Sequence, residues 1–332
     1  MAFEISENMS KQGALSAWGD KVIYNMELSQ EEKEFSECVD AWARELGRTG
    51  HDANHELSAL IEKAFTVDDI AAPSELISRM FDESTIGEFD DGQITEDPRN
   101  TIHVHETIPG GNVDRSFIEH KTFVPTWKSL AAETDITLQD LRRGGYRTVA
   151  NLTTFIKEAF EYKRVAMVLD EIDKMITSGN PNYITESTAL PTATSADALA
   201  LYLQDMSTGG RPLAFTLNKY RQAMAKLAQG ERWPTEADRN MYNTDGFLTS
   251  YAGMEILGYS GQRKTPDGSL VIPDKRVFGI ADKIGYAMTR GETRIFQSED
   301  INQERIHIKV TGYTFGWAIT RPENVAKIVM GA

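Results

Sequence analysis

The chain has 332 residues and a formal net charge of -15, with 40% hydrophobic and 26% charged residues; this is the composition of a globular protein with room for one large domain or two ordinary ones. No apolar run approaches the roughly 20 residues of a membrane helix, and the N-terminal residues lack the basic and apolar regions of a secretion signal. The lone cysteine, Cys38, excludes an internal disulfide, so the sequence predicts synthesis in a reducing cytoplasm and no contact with a membrane.

The acidic excess lies entirely in the first third of the chain. Residues 1–100 carry 23 acidic and 8 basic side chains, a net of -15, whereas residues 101–332 carry 27 of each. Such a block is either a solvated arm or a partner for a basic surface on another copy. It argues against nucleic-acid binding by this third, because phosphate contacts require lysine and arginine.

The N-terminal third is predicted to be helical, although residues 1–28 show no firm period. The SQEE sequence that starts at Ser29 is a capping box, and apolar residues then recur at helical spacing. Cys38 lies among these apolar residues, which predicts a core thiol rather than a reactive one. Two further helices are expected at about 54–65 and 73–81.

An acidic loop then leads into a predicted hairpin at about residues 101–124. A turn at residues 109–114 would place His120 opposite His103, with His105 on the same face. Three imidazoles so arranged could hold a transition metal. The alternative is the polar, solvent-exposed face of an ordinary hairpin, because no HExxH motif accompanies the histidines.

The longest predicted helix runs from about Thr148 to Ile176 without glycine or proline. Its length of roughly 45 Å, at ~1.5 Å per residue, suits a structural strut. Its apolar stripe is expected to pack in the core and includes Leu152, Ile156, Leu169 and Ile172. A short helix near Leu138–Arg143 precedes it, so the pair could also be a helix-turn-helix that reads DNA, but the second helix is too long and too apolar for that role.

The C-terminal half mixes helices and strands. A polar, linker-like stretch precedes a helix at 196–206, for which Ser195 is the predicted N-cap. The apolar run LAFTL at 213–217 predicts a buried strand, and a helix is expected at 219–228. Strands broken by glycine are predicted for most of the following sequence.

The closing segment RIHIKVTGYTFGWAIT, residues 305–320, alternates regularly. It predicts either a pair of strands or one long strand bent at Gly312. Tyr313, Phe315 and Trp317 share one face of this segment and are expected to pack in the core. The next residues, RPENVAKI, are predicted to form a short proline-led tail.

The remaining motifs give little support for catalysis. HDANHE places His51 and His55 four residues apart, but the Asp and Asn between them favour a turn before a helix. GYSGQRKT at 258–265 misses the Walker spacing GxxxxGK[ST] and is followed by a turn. No serine lies in a GxSxG context, so the sequence predicts a structural protein without a cofactor, metal or catalytic residue.

The order of these parts resembles that of the major capsid proteins of tailed bacteriophages, which have the Hong Kong 97-type fold. The similar segments cover most of residues 85–332 and are RTVANLTTFIKEAFEYKRVAMVLDEIDKMI, SADALALYLQDMSTGGRPLAFTLNKYRQAMAKLA, VFGIADKIGYAMTRGETRIFQ and INQERIHIKVTGYTFGWAITRPENVAKIVM. In that family the first segment is the spine helix of the P-domain, the second belongs to the A-domain, and the last two are the closing strands.

The resemblance implies an α+β, Hong Kong 97-like capsid fold in which Tyr313, Phe315 and Trp317 bind the P-domain sheet to the spine helix. It divides the chain into an acidic helical N-terminal arm (1–84), an E-loop hairpin (85–125), a P-domain part with the spine helix at about 148–176 (126–185), a mainly A-domain region (186–295), and closing P-domain strands with a tail (296–332).

The resemblance also implies self-assembly into the hexamers and pentamers of an icosahedral virion shell. The shell would enclose double-stranded DNA without reading its sequence, and would be made in the host cytoplasm. Portal and scaffolding proteins, and a decoration protein, are the further partners to expect. The alternatives are an encapsulin-like non-viral shell, a metal-dependent enzyme that uses His103, His105 and His120, and a DNA-binding protein.

Overall fold

The computed structural model describes residues 14–45, 75–88, 90, 92–96, 120–231, 250–261, 268–291, 294–300 and 304–331. The helix predicted at 54–65 and most of the predicted hairpin lie outside these ranges, as do His51, His55, His103 and His105. Within the described ranges, none of the helices combines the length and the apolar character that a membrane span needs.

Two N-terminal helices, α1 (Ala14–Ile23) and α2 (Gln30–Glu45), pack against each other. The predicted capping box begins α2: Ser29 N donates to Glu32 Oε2 at 2.7 Å, and Glu32 N donates to Ser29 Oγ at 3.3 Å. Helix α1 was not predicted, because its own residues show no clear apolar period.

The prediction that Cys38 is a core thiol is wrong, because this side chain is exposed. The buried stripe of α2 includes Phe35, Ser36 and Val39 and is covered by Trp18 of α1. An α-helix turns by about 100° per residue. The centre of the buried face is therefore nearer to Ser36 than predicted, and Cys38 lies beyond the other edge of this face.

The third predicted helix is shorter than expected and leads directly into a strand. Helix α3 spans Glu75–Met80 and strand β1 spans Phe81–Ile86. β1 pairs in parallel with a strand about 200 residues later in the chain, and Phe81 is fully buried. The N-terminal third is therefore not wholly helical as predicted, because a distant strand supplies hydrogen bonds that local sequence does not reveal.

Short strands β2 (Ile94–Glu96) and β3 (Lys121–Phe123) pair antiparallel, with Lys121 opposite Glu96. β2 lies in the predicted acidic loop, and the predicted turn at 109–114 would instead place Lys121 opposite Ile102, so the predicted register is wrong at β3. Arg321 Nε donates to Glu96 Oε1 at 2.6 Å and ties this strand pair to the body of the protein. Strand β4 (Thr126–Thr137) follows and was not predicted, because only Leu130 and Ile136 of its residues are buried.

The two predicted helices after β4 are both present, as α4 (Leu138–Gly144) and α5 (Tyr146–Met175). Thr137 caps α4, since its Oγ1 accepts from Asp140 N at 3.0 Å. Helix α5 has 30 residues and begins two residues earlier than the predicted Thr148. It is the longest helix among the described residues.

Within the described residues, the first sheet has five strands and is built around β12 (Arg305–Ile319). Its order is β1-β10-β12-β11, with β10 at Gly285–Arg290 and β11 at Arg294–Asp300, while β4 lies along the other edge of β12. Of the two predicted possibilities, the single long strand is the one observed. Gly312 has a φ of +92°, and the register with β4 shifts between Val310 and Tyr313, which marks the bend.

In the part of the chain that the structure describes, the second sheet has six strands in the order β5-β13-β9-β6-β8-β7. The strands are β5 (Tyr183–Glu186), β6 (Leu213–Leu217), β7 (Ser250–Tyr251), β8 (Met254–Tyr259), β9 (Arg276–Ile280) and β13 (Val325–Met330). Helices α6 (Ala193–Met206) and α7 (Asn218–Glu231) pack against this sheet. Every residue of β6 is buried, as LAFTL predicted.

Three local predictions in this region are wrong. The proline-led tail is instead a 3-10 turn, Pro322–Asn324, followed by β13, which pairs with both β9 and β5. The linker-like stretch contains β5, which pairs in parallel with β13. The N-cap of α6 is Thr192 rather than Ser195. Ser195 occupies position N3 of the capping box, and its N donates to Thr192 Oγ1 at 3.4 Å.

Candidate functional site

The middle of α5 packs on the aromatic face of β12. Tyr313, Phe315 and Trp317 are all buried, and the predicted stripe residues of α5 are buried as well: Leu152, Ile156, Leu169 and Ile172. The ring of Phe160 on α5 meets the ring of Tyr313 edge-on, with 5.9 Å between centroids. Sheet and helix are therefore joined through the face that the sequence singled out.

A buried arginine lies at this contact and was missed by sequence reasoning. Arg164 is 3% exposed, and its Nη1 donates to Tyr313 Oη at 3.1 Å. Its guanidinium lies 5.9 Å from the ring centroids of both Tyr313 and Phe315, a cation–π arrangement. Burial raises the pKa of Tyr313 despite the nearby charge of Arg164. One sequence feature could have identified Arg164 as buried: it lies one helical turn after Phe160, on the apolar stripe of α5.

The N-terminal end of α5 is held by α2. The N-cap position, Gly145, has no side chain, and Asp40 supplies the missing acceptor: its Oδ1 accepts from Tyr146 N at 3.0 Å. Gly145 has a φ of +50°, and a Cβ on it would lie 1.9 Å from Asp40 Oδ1. Glycine is thus required both by the backbone conformation and by the close approach of the carboxylate.

Trp18 is the apolar centre of the same contact. Its ring packs edge-on against Phe35 at 5.0 Å and lies 6.3 Å from the ring of Tyr146 on α5. Its Nε1 donates to Ser36 Oγ at 3.0 Å. The described part of the acidic N-terminal segment therefore docks on the long helix of its own chain.

The C-terminal end of α5 is held by a charged cluster. Lys327 of β13 is 4% exposed at its side chain, and its Nζ donates to both the carbonyl and Oδ1 of Asp173 at 2.6 Å. Arg276 of β9 donates to the same Oδ1 at 3.1 Å. Partial burial alone would raise the pKa of Asp173, but the hydrogen bonds and charges of Lys327 and Arg276 outweigh it and hold this pKa below its usual range.

Of the three candidate metal ligands, the described residues include His120 alone. His103 and His105 lie outside the described residues, and His120 precedes β3 with an exposed side chain. Across the described ranges, no three His, Cys, Asp or Glu side chains are grouped so that they could hold a metal ion.

No known protein-family profile matches the sequence, and no curated protein matches it. Solved structures do match the fold. The mature capsid of bacteriophage PhiM1 aligns with a TM-score of 0.50 and 10% identity, over 75% of this chain and 85% of its own. The capsid of cyanophage P-SCSP1u gives 0.50 and 13% over 76% and 87%, and the capsid of the native GTA particle gives 0.53 and 10% over 77% and 90%.

Identities this low establish similarity of fold alone, and the aligned share includes most of each capsid chain. The mixed α and β architecture, with a long helix on one sheet and a second sheet flanked by helices, agrees with these neighbours. The chain therefore has the Hong Kong 97-type fold of tailed-phage major capsid proteins.

Proposed function

We propose that this chain is a major capsid protein that self-assembles into the hexamers and pentamers of an icosahedral phage head around double-stranded DNA. One observation carries the proposal: the fold shared with the solved capsids extends over 75% to 77% of this chain and 85% to 90% of theirs. The way in which α5 is fixed along its length supports a structural role rather than catalysis.

The proposed division into domains follows the two sheets. The first sheet and α5 belong to the P-domain, and the second sheet with α6 and α7 belongs to the A-domain. Residues 85–125 are the E-loop and residues 1–84 are the N-terminal arm, except that β1 joins the P-domain sheet. Under this proposed division β10 would belong to the P-domain, because it pairs with β12, whereas β5 and β13 would belong to the A-domain.

The principal partner is the chain itself, in a virion assembled from subunits made in the host cytoplasm. Portal and scaffolding proteins, and a decoration protein, are the further proposed partners. The acidic arm would face the interior, repel DNA phosphates and leave the DNA free to be ejected. Finding Glu34 or Glu37 of α2 on the outer surface of an assembled shell would contradict this orientation.

The alternatives lack an observation in their favour. An encapsulin-like compartment would share the fold, but the structures that carry the comparison are phage and GTA capsids. A metal-dependent enzyme built on His103, His105 and His120 would bind metal stoichiometrically, and a DNA-binding protein would retain DNA in a salt-dependent way.

The decisive experiment is to determine the size of the purified chain, alone and with a co-expressed scaffolding protein. We expect rings of five or six copies, or closed shells, by light scattering and negative-stain microscopy. A variant that lacks residues 91–114 should remain folded but assemble poorly, since it loses most of the E-loop. A 37.1 kDa monomer under both conditions would contradict the proposal.

A further inference from the structure

Two surfaces of opposite charge lie next to the contacts of α5 described above. The first, here called the arginine elbow, consists of Arg142, Arg143 and Arg147 at the turn between α4 and α5. All three side chains are exposed. Within the described part of the chain, neither Arg143 nor Arg147 forms an ion pair with a carboxylate.

The second surface, here called the acidic groove, is a cleft of about 590 Å³ between α1, α5 and the end of β8. Four carboxylates and one lysine line it, which gives a net charge of -3: Asp20, Glu75, Glu158, Glu161 and Lys157. Three tyrosines also line it: Tyr24, Tyr162 and Tyr259.

This lining suits guanidinium groups in particular. A carboxylate accepts two parallel hydrogen bonds from one guanidinium, and the planar cation also stacks on tyrosine rings. The cleft is within the range of roughly 300–1,000 Å³ over which pockets enclose a ligand. Its charge of -3 equals in size the charge of the three arginines of the elbow.

The elbow of one copy cannot fill the groove of the same copy. Arg147 and Glu158 are eleven residues apart on α5, which corresponds to about 16 Å along the helix axis at 1.5 Å per residue. That separation exceeds the reach of an arginine side chain. An arginine elbow can therefore reach this groove only from another molecule.

We propose that the arginine elbow of one copy docks in the acidic groove of a second copy. The two surfaces differ, so the contact is head-to-tail, and a head-to-tail contact generates a closed ring when its rotation closes. This inference deepens the proposed shell function, on which it rests only in requiring more than one copy.

Charge reversal tests the contact. An elbow variant carries Arg142→Glu, Arg143→Glu and Arg147→Glu, and a groove variant carries Glu158→Lys and Glu161→Lys. We expect circular dichroism to show that each variant remains folded. We also expect the assembled fraction, measured by sedimentation velocity, to fall at least tenfold in each. The matched controls reverse exposed charges elsewhere, with Arg211→Glu and Lys226→Glu in one protein and Glu171→Lys and Asp205→Lys in another. Both controls should assemble like the wild type.

Mixing the two defective variants distinguishes docking from a folding defect. In the mixture, the reversed elbow meets the reversed groove and the wild-type elbow meets the wild-type groove, so alternating rings should form. Failure of the mixture to assemble, or normal assembly of either variant alone, would overturn the proposal.

The remaining outcomes separate this contact from the shell function and from DNA binding. A wild type that forms short oligomers, lost in both variants, but never shells would support the contact and contradict the shell. Shells that form equally from wild type and variants would overturn the contact alone, and no self-association of the wild type would overturn both. If the elbow variant assembles normally but loses salt-sensitive DNA retention, the arginines contact phosphates instead.

Discussion

The two ends of α5 are held by different chemistry. At the N-terminal end, Asp40 caps the helix and Trp18 packs beside it, so the fit depends on a glycine backbone and on ring shape. At the C-terminal end, Lys327, Asp173 and Arg276 form a charged cluster in which the lysine is almost fully buried. A shape-dependent contact and a charge-dependent contact should fail under different perturbations.

The comparison also separates what each contact contributes. A buried ion pair adds little net stability, since desolvation offsets the attraction, but removal of one partner leaves an uncompensated charge. An N-cap contributes modestly to the free energy of unfolding. Its loss leaves backbone N–H groups bonded to water or without an acceptor. Truncation of a single side chain should therefore reduce the free energy of unfolding more at the C-terminal end of α5 than at the N-terminal end.

Asp173→Ala should have the largest effect. It leaves the almost fully buried ammonium of Lys327 without a carboxylate, although the backbone carbonyl of residue 173 still accepts from it. Such a loss typically costs about 3–5 kcal/mol of unfolding free energy. Urea denaturation followed by circular dichroism measures this loss.

The matched control for that change is Asp170→Ala, one turn earlier on α5. Its pair with Lys174 is exposed on both sides, so its removal should alter stability by no more than roughly 0.5 kcal/mol. Equal losses for Asp170→Ala and Asp173→Ala would show that burial of Lys327 does not determine the stability of this end.

Gly145→Ala should disrupt the opposite end. The new Cβ would approach Asp40 Oδ1 at 1.9 Å on a backbone with a φ of +50°. We expect a loss of about 1–3 kcal/mol from the strained conformation and the displaced cap. Gly179→Ala is the control, because nothing lies within 4 Å of its Cβ position. A Gly145→Ala protein as stable as this control would contradict the fit described for the N-terminal end.

Asp40→Ala removes the cap but leaves the glycine turn unstrained, so its effect should be smaller. Loss of an N-cap acceptor costs about 0.5–2 kcal/mol. Glu37→Ala, on the exposed face of α2, should change stability by less than roughly 0.5 kcal/mol. Because Asp40 and Gly145 are in contact, the losses from Asp40→Ala and Gly145→Ala should not add in the double variant. Additive losses would mean that the two residues act independently.

The sequence predicts those parts of the fold in which the pattern of burial is regular along the element. The alternation in β12 and the stripe of α5 are visible because each element buries one side against the other. LAFTL is visible because β6 is buried on both faces. In these elements local pattern and tertiary environment agree.

The parts that could not be predicted depend on partners that lie far away in the chain. β13 follows a proline and resembles a tail until β5 and β9 are placed on either side of it. Asp40 is one of many acidic residues in its segment, and only the fold brings it to Tyr146, 106 residues later. Arg164 carries a charge on an apolar stripe, which a reading based on hydrophobicity alone excludes from the core.

The smallest predicted effect concerns a helix cap of the same chemistry as Asp40 but supplied locally. Glu186 accepts from the Thr192 hydroxyl and, at 3.3 Å, from Thr192 N at the start of α6. These bonds, with further ones from Ser195 and Thr188, lower the pKa of Glu186 from 4.5 to about 2. Since the folded pKa is depressed, the stabilisation is complete above about pH 4.5 and is lost as the pH falls towards 2.

Glu186→Gln should therefore be slightly less stable than the wild type at pH 7, and the difference should shrink through that window in urea titrations at several pH values. A difference that stays constant from pH 7 to pH 2 would show that the charge of Glu186 contributes nothing, and that this locally supplied carboxylate is not energetically comparable to Asp40.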